Sequence, residues 1–158
     1  MKNTFKRSGA ALISLVLLLV LAVSAGAASS QNVGVKFWKE RSDKESMANS
    51  GIDPDRTATL TRQANGTYTL TLPVMQVSKL GVTGYLSCLT IGDVTYDGTL
   101  TGDFNKATAV LTIKNLPASV LTGSDVNKSV LVTCNIQMDL QVLGEINTSA
   151  RMCIWNQK

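Results

Sequence analysis

The stretch Val130–Trp155, VLVTCNIQMDLQVLGEINTSARMCIW, decides how the chain is read. Apolar residues fall on every second position from its start, Val130, Val132, Cys134, Ile136, Met138, Leu140 and Val142, with Leu131, Thr133, Asn135, Gln137, Asp139 and Gln141 between them. Strict period two is the signature of a half-buried strand, because successive side chains point to opposite faces. The pattern resumes after Gly144 as Ala150, Met152 and Ile154, so the two runs read as a hairpin and as the spine of an all-β sandwich.

Register within that hairpin bears on the cysteines. Setting Cys134 opposite Cys153 would put Val132 and Ile136 on the side of Trp155 and Arg151. With Leu143-Gly144-Glu145 as the loop, Ile136 instead meets Met152 and Met138 meets Ala150, apolar against apolar, and a one-residue slip would undo it. This register argues against a Cys134–Cys153 bridge. Cys88 and Cys153 both alternate off the apolar face and make the better pair; three free thiols are the other alternative.

At the opposite end, Lys2, Lys6 and Arg7 precede an apolar run from Ala10 to Val23 that closes on Ala25-Gly26-Ala27, a small-x-small site of the kind cut by signal peptidase. Residues 1–27 are expected to be a cleaved signal peptide, residues 28–158 a single domain, and the protein secreted or at the cell surface. The alternative is a retained anchor, since Ala10–Ala28 could just span a bilayer. The small residues at its end, with no aromatic or basic belt, favour cleavage and no membrane span in the mature chain. The leader holds three of the 15 Lys and Arg and none of the 11 Asp and Glu, leaving 12 against 11. The basic character thus belongs to the leader, and nucleic acid is not an expected partner.

Val35–Trp38 reads as the first strand, after a flexible polar start over 28–34. Lys39–Ser50 is charged and small, has no helical apolar stripe, and reads as a loop with one helical turn around Ser46-Met47-Ala48-Asn49. Thr57–Arg62 and Thr67–Leu72 flank Ala64-Asn65-Gly66, a hairpin signal because Asn and Gly tolerate the positive φ of tight turns. Ala58, Leu60, Tyr68, Leu70 and Leu72 form its inward face. Tyr85–Ile91 and Ala107–Ile113 are further strands, the latter with Ala109, Leu111 and Ile113 on one side. Between them Tyr96-Asp97-Gly98-Thr99 reads as a turn. Asp93, Asp97 and Asp103 lack the spacing of a helix–loop–helix calcium site, so turn chemistry is their favoured reading. The total is about eight strands at the spacing of an antiparallel sandwich.

The chain has no His. That excludes Ser-His-Asp and Cys-His catalysis, imidazole zinc sites and proximal-His haem sites. No Cys-x-x-Cys pair and no phosphate-cradling glycine loop occurs, and no enzyme is expected.

Taken together, Val35–Trp38, the polar segment with Ser46-Met47, Gly66-Thr67-Tyr68-Thr69-Leu70-Thr71-Leu72, Ile113-Lys114-Asn115-Leu116 and the closing Ala150-Arg151-Met152-Cys153-Ile154 resemble a NEAT (near iron transporter) domain. The resemblance covers nearly all of residues 33–156. It implies an immunoglobulin-like, NEAT-like antiparallel β-sandwich of a Gram-positive surface or secreted protein, haem as cofactor, and haem, a haemoprotein or a surface receptor as partner. In haem-binding members a Ser and an apolar residue on a lip cover one haem face, and a Tyr on the last strand, supported by a second Tyr, ligates iron. The lip has its counterpart in Ser46 and Met47. The Tyr pair has none, because the only tyrosines are Tyr68, Tyr85 and Tyr96. Thioethers are then the available axial donors: Met47 on the lip, Met138 or Met152 on the hairpin. Period two also places Met138 and Met152 on the core face, where packing is the commoner use of Met. The alternative implied function is a sandwich without haem that serves in protein binding or adhesion.

Overall fold

The computed structural model describes residues 28–79, 81–138 and 145–158; the expected leader, residues 139–142 of the expected strand, and Leu143 and Gly144 of the expected Leu143-Gly144-Glu145 loop lie outside them. Nine strands follow in order: β1 Ser29–Lys39, β2 Ala58–Arg62, β3 Tyr68–Pro73, β4 Val77–Lys79, β5 Val82–Ile91, β6 Val94–Thr101, β7 Val110–Leu116, β8 Val130–Met138 and β9 Glu145–Asn156. All strand pairings are antiparallel, in the order β4-β5-β6-β7-β3-β2-β1-β9-β8, and β8 pairs back onto β5. Eight strands thereby close into a ring, and the short β4 leans on the first half of β5. The all-β sandwich expected from the sequence is the observed class of fold.

Alternation produces the core directly. Leu60, Leu70, Leu72, Leu111 and Ile113 are fully buried, with Ala58 and Ala109 beside them, while the Thr residues of β2, β3 and β6 face outward. Phe37, Leu89, Cys134, Met152 and Ile154 fill the other wall. Each large apolar side chain so buried contributes about 1.5–3 kcal/mol.

Several local expectations are corrected. The start of the domain is not a flexible tail: Ser29–Asn32 belongs to β1, pairing with Leu60–Arg62 and Thr59 of β2. Its polar residues show no apolar alternation because they lie at the exposed beginning of the strand. The turn after β2 uses positive φ only at Gly66 (83°); Gly66 N–H donates to Gln63 O at 3.0 Å and Gln63 N–H to Thr67 O at 2.8 Å, a three-residue loop closed by a glycine bulge.

The segment Tyr96-Asp97-Gly98-Thr99 is the middle of β6, and the turn lies earlier, between Ile91 and Val94, with Gly92 at φ 59°. Gly98 is there for close approach: a Cβ would fall against the Ser87 carbonyl oxygen and the Leu111 side chain.

The hairpin register also differs. Ile136 pairs with Ile146, Val132 with Ala150 and Val130 with Met152. The expected pairs Ile136–Met152 and Met138–Ala150 are thus displaced by six positions along β9: Glu145, the last residue of the expected loop, is instead the first residue of β9 and pairs with Gln137. An even displacement returns every side chain to its original face, so the inward set survives the wrong register.

All three cysteines are free and buried. Cys134 points into the core. Cys88 pairs with Asn135, which pairs with Asn147; Cys153 lies six residues farther along β9, about 20 Å at strand rise. A disulfide needs Cα atoms within about 7 Å, so the Cys88–Cys153 pair does not form.

Two outcomes test this architecture. Gly98→Ala should lower the urea midpoint by the equivalent of about 1–3 kcal/mol through overpacking, and an unchanged midpoint would mean β6 is not held so close to β5 and β7. Burial, with a smaller contribution from Cys88, pushes the Cys134 thiol from its ordinary 9.0 up to about 12. The unfolded thiol therefore ionises where the folded one does not. Stability should be fully present below pH 9 and fall as pH rises toward 12, by about 1.4 kcal/mol per pH unit for this thiol. Cys134→Ala should flatten that alkaline slope in urea titrations, and an identical slope in the variant would refute it.

Candidate functional site

The candidate site lies between the 3-10 turn Met47–Gly51 and the end of the β8–β9 hairpin where β8 stops at Met138 and β9 starts at Glu145. This turn is the single helical turn that the sequence suggested around Ser46-Met47-Ala48-Asn49, and it is called the lip from here on. It forms because Ser46, in extended backbone, caps it: Ser46 Oγ accepts from Ala48 N–H at 3.3 Å. Ser46 N–H itself donates to Phe37 O at 2.9 Å, so this buried residue ties the lip to β1 rather than presenting a free hydroxyl.

Asn49 is the residue that sequence reasoning missed. β2 stops pairing with β1 at Val33, which leaves the β1 edge at Phe37 in need of partners. The Asn49 carboxamide supplies them: Oδ1 accepts from Phe37 N–H at 2.8 Å and Nδ2 donates to Phe37 O at 2.6 Å, and also to Ser46 O at 3.2 Å. A side chain thus imitates a neighbouring strand. Its only sequence signal is a donor–acceptor amide three residues after an N-cap Ser.

The loop leading into the lip is held from the outside. Arg151 Nη2 meets Asp43 Oδ1 at 2.7 Å, and its Nε donates to Lys39 O at 3.1 Å. Lys36 pairs with Glu45 and lies 4.6 Å above the Trp38 ring. Exposed ion pairs contribute little individually, but these converge on one loop and define its path.

Facing the lip is a row of aligned positions: Val77 on β4 pairs with Gly84 on β5, and Gly84 with Met138 on β8. Gly84 makes room for the thioether, since a Cβ there would sit 2.8 Å from Met138 Sδ and 2.7 Å from Gln137 O. The lip packs over this row through Gly51, whose Cβ position lies 3.3 Å from Val77 Cγ2. Half-buried Met138 therefore faces the side that the lip covers. On β9, Ile146 shares the inward face with Ile136, yet it is 46% exposed against 8%, so the inner surface becomes accessible at this end.

The expected site residues separate into two groups. Met138 lies in this row, while Ser46 and Met47 belong to the lip, Ser46 buried and Met47 49% exposed. Met152 belongs to neither: it is fully buried, opposite both Val130 and Phe37, and packs in the core. Met75 is a further exposed thioether, beside the end of the lip, where its N–H donates to Gly51 O at 3.0 Å. Distance along the chain hid it. No tyrosine occurs on β9, and Thr148 and Ile146 occupy its inward positions next to the opening. Among the described residues no cluster of three or more His, Cys, Asp or Glu could hold a metal ion.

No family profile matches the chain, and no curated protein matches it by sequence. Among solved structures, the chain is similar to the NEAT5 domain of IsdX2, a B. anthracis hemophore, in complex with haem, at TM-score 0.53 and 10% identity over 83% of this chain and 98% of that one. A point variant of the same domain, also in complex with haem, matches with the same values. The fold is therefore NEAT-like, as the sequence resemblance implied.

Asn49→Ala would strip the buried Phe37 backbone of the carboxamide's donor and acceptor and should cost about 1–3 kcal/mol in urea unfolding. Asn49→Asp keeps the acceptor but turns a carboxylate oxygen toward the Phe37 carbonyl, and should do no better. Near wild-type stability for Asn49→Asp would show that the clamp is not formed as described.

Proposed function

We propose that the protein is a haem-binding module, exported by its leader and acting outside the cell in haem uptake, with residues 28–158 as the functional unit. The observation that carries this reading is the thioether of Met138, seated over Gly84 on the side covered by the lip, within a NEAT-like fold whose structural neighbours hold haem. The residues fit the group in chemistry. The opening would offer apolar surface from Ile146 and Val77 to a flat macrocycle, and thioether sulfur to its iron.

Met138 would hold haem from the hairpin and Met47 from the lip, while Ser46 and Asn49 keep the lip in place. Met152, buried in the core opposite Val130 and Phe37, would take no part. A thioether is a softer donor than a phenolate and favours ferrous over ferric iron, so this site would bind reduced haem in preference. Handing haem to a surface receptor is consistent with weak axial ligation and an exposed lip.

A second reading has its own observation in favour: Thr148 and Ile146 stand on the part of β9 nearest the opening, where no phenolate is available. A NEAT-like sandwich that binds protein, or serves in adhesion, without haem would need no ligand there.

Titration of the chain from residue 28 with hemin, before and after dithionite, separates the two. The first reading expects a saturable Soret band, tighter binding after reduction, and affinity at least about tenfold weaker in Met138→Ala. Met47→Ala should alter the spectrum, and Met152→Leu should leave it unchanged. A spectrum equal to free hemin in both redox states would sink the haem reading.

A further inference from the structure

The edge of β1 that the lip clamps has a second place of the same kind. Backbone groups of alternate β1 residues face opposite sides. Asn32 O accepts from Gln157 N–H on the β9 side, whereas Phe37 and Lys39 are met from the other side by Asn49 and by Lys44 O. Odd-numbered residues thus present N–H and C=O away from β9. Val33 meets Ala58, the last register of β2, and Phe37 meets Asn49. Val35 falls between them, and among the described residues no hydrogen bond reaches its backbone from that side.

A cleft of about 210 Å³ opens at this place, bordered by Val35, the Asp53–Arg56 loop and Trp155. Trp155 lies across Gly34, which has no Cβ to displace the indole. The charges at the rim are already matched: Arg56 Nη1 donates to Ala107 O at 2.6 Å and lies 3.6 Å from Asp53 Oδ2, while Asp53 Oδ1 accepts from Asp55 N–H at 3.1 Å. The cleft therefore has a backbone donor and acceptor on one residue, an aromatic wall and no unmatched buried charge.

We infer that this cleft binds a neutral primary carboxamide carried on a small planar ligand. Its carbonyl accepts from Val35 N–H, its amide N–H donates to Val35 O, and its flat body rests on Trp155. The chemistry is the one the chain uses itself two residues on, where the Asn49 carboxamide meets the same pair of groups on Phe37. An extended peptide does not fit, because the β2 register on one side and Asn49 on the other leave space for a single amide plane, about 13 Å from Val33 to Phe37. A carboxylate would set one oxygen against the Val35 carbonyl, and an ammonium would leave the Val35 N–H unmet. The site is separate from the haem opening and does not depend on it.

Amide correlation spectra of isotope-labelled protein test this with benzamide, benzoate and benzylamine as probes. Benzamide should move the Val35 amide and Trp155 indole N–H signals saturably, and the two charged probes should not. Gly34→Ala puts a methyl group into the Trp155 ring and should weaken benzamide binding about tenfold. If that variant fails to fold, the selectivity of the wild-type protein decides. No benzamide response at Val35, or an equal response to benzoate, overturns the assignment.

Discussion

Pairing between β5 and β8 leaves eight of the nine strands in an unbroken ring, and both the core and the opening at its end depend on that closure. A closed sheet has no long open edge to satisfy, so backbone polarity is met within the ladder and inward side chains bury one another. The closure is not uniform. A bulge at Ser87 shifts the register between Leu86 and Cys88, and Ser87 Oγ donates to Asn135 O at 3.0 Å across it. The bulge lets one strand serve two neighbours in turn, β4 before it and β6 after it.

The functional geometry comes from where the ring is imperfect. β2 leaves β1 after Val33, and the freed edge must find other partners. At Phe37 it finds Asn49, which turns a charged loop into a fixed lip over one end of the ring. At Val35 it meets a cleft walled by Trp155. One interrupted pairing thus creates both the lip and a second place of complementary chemistry. The opposite rim of the opening depends on glycine: without a side chain at Gly84, Met138 can fold its thioether inward.

Much of the fold was legible in alternation. The inward residues of β2, β3, β7 and β8 follow from period two, and even the displaced hairpin register kept them on the correct face. Misreadings arose where local chemistry has two uses. Asp97-Gly98 can make a turn, but here the glycine admits a neighbouring strand; Glu145 reads as the end of a loop, but its pairing with Gln137 makes it the start of β9. At the candidate site, Ser46 and Met47 were singled out only through the family resemblance. Asn49 and Met75 were not, since an amide pairing with a residue 12 positions away leaves no mark in composition.

The sequence by itself determined an antiparallel β protein with a defined core face, the absence of imidazole and of a tyrosine on the last strand, and a thioether-rich set of possible donors. These are properties of residue type and period, which need no knowledge of long-range contacts. Only the tertiary structure decided which thioethers are buried and which are not. Met138 and Met152 share one face in the pattern, but the ring is sealed at Met152, between Phe37 and Val130, and open at Met138, under the lip. Alternation tells inside from outside; it does not tell how far along a strand the inside remains covered, because that depends on where neighbouring strands end.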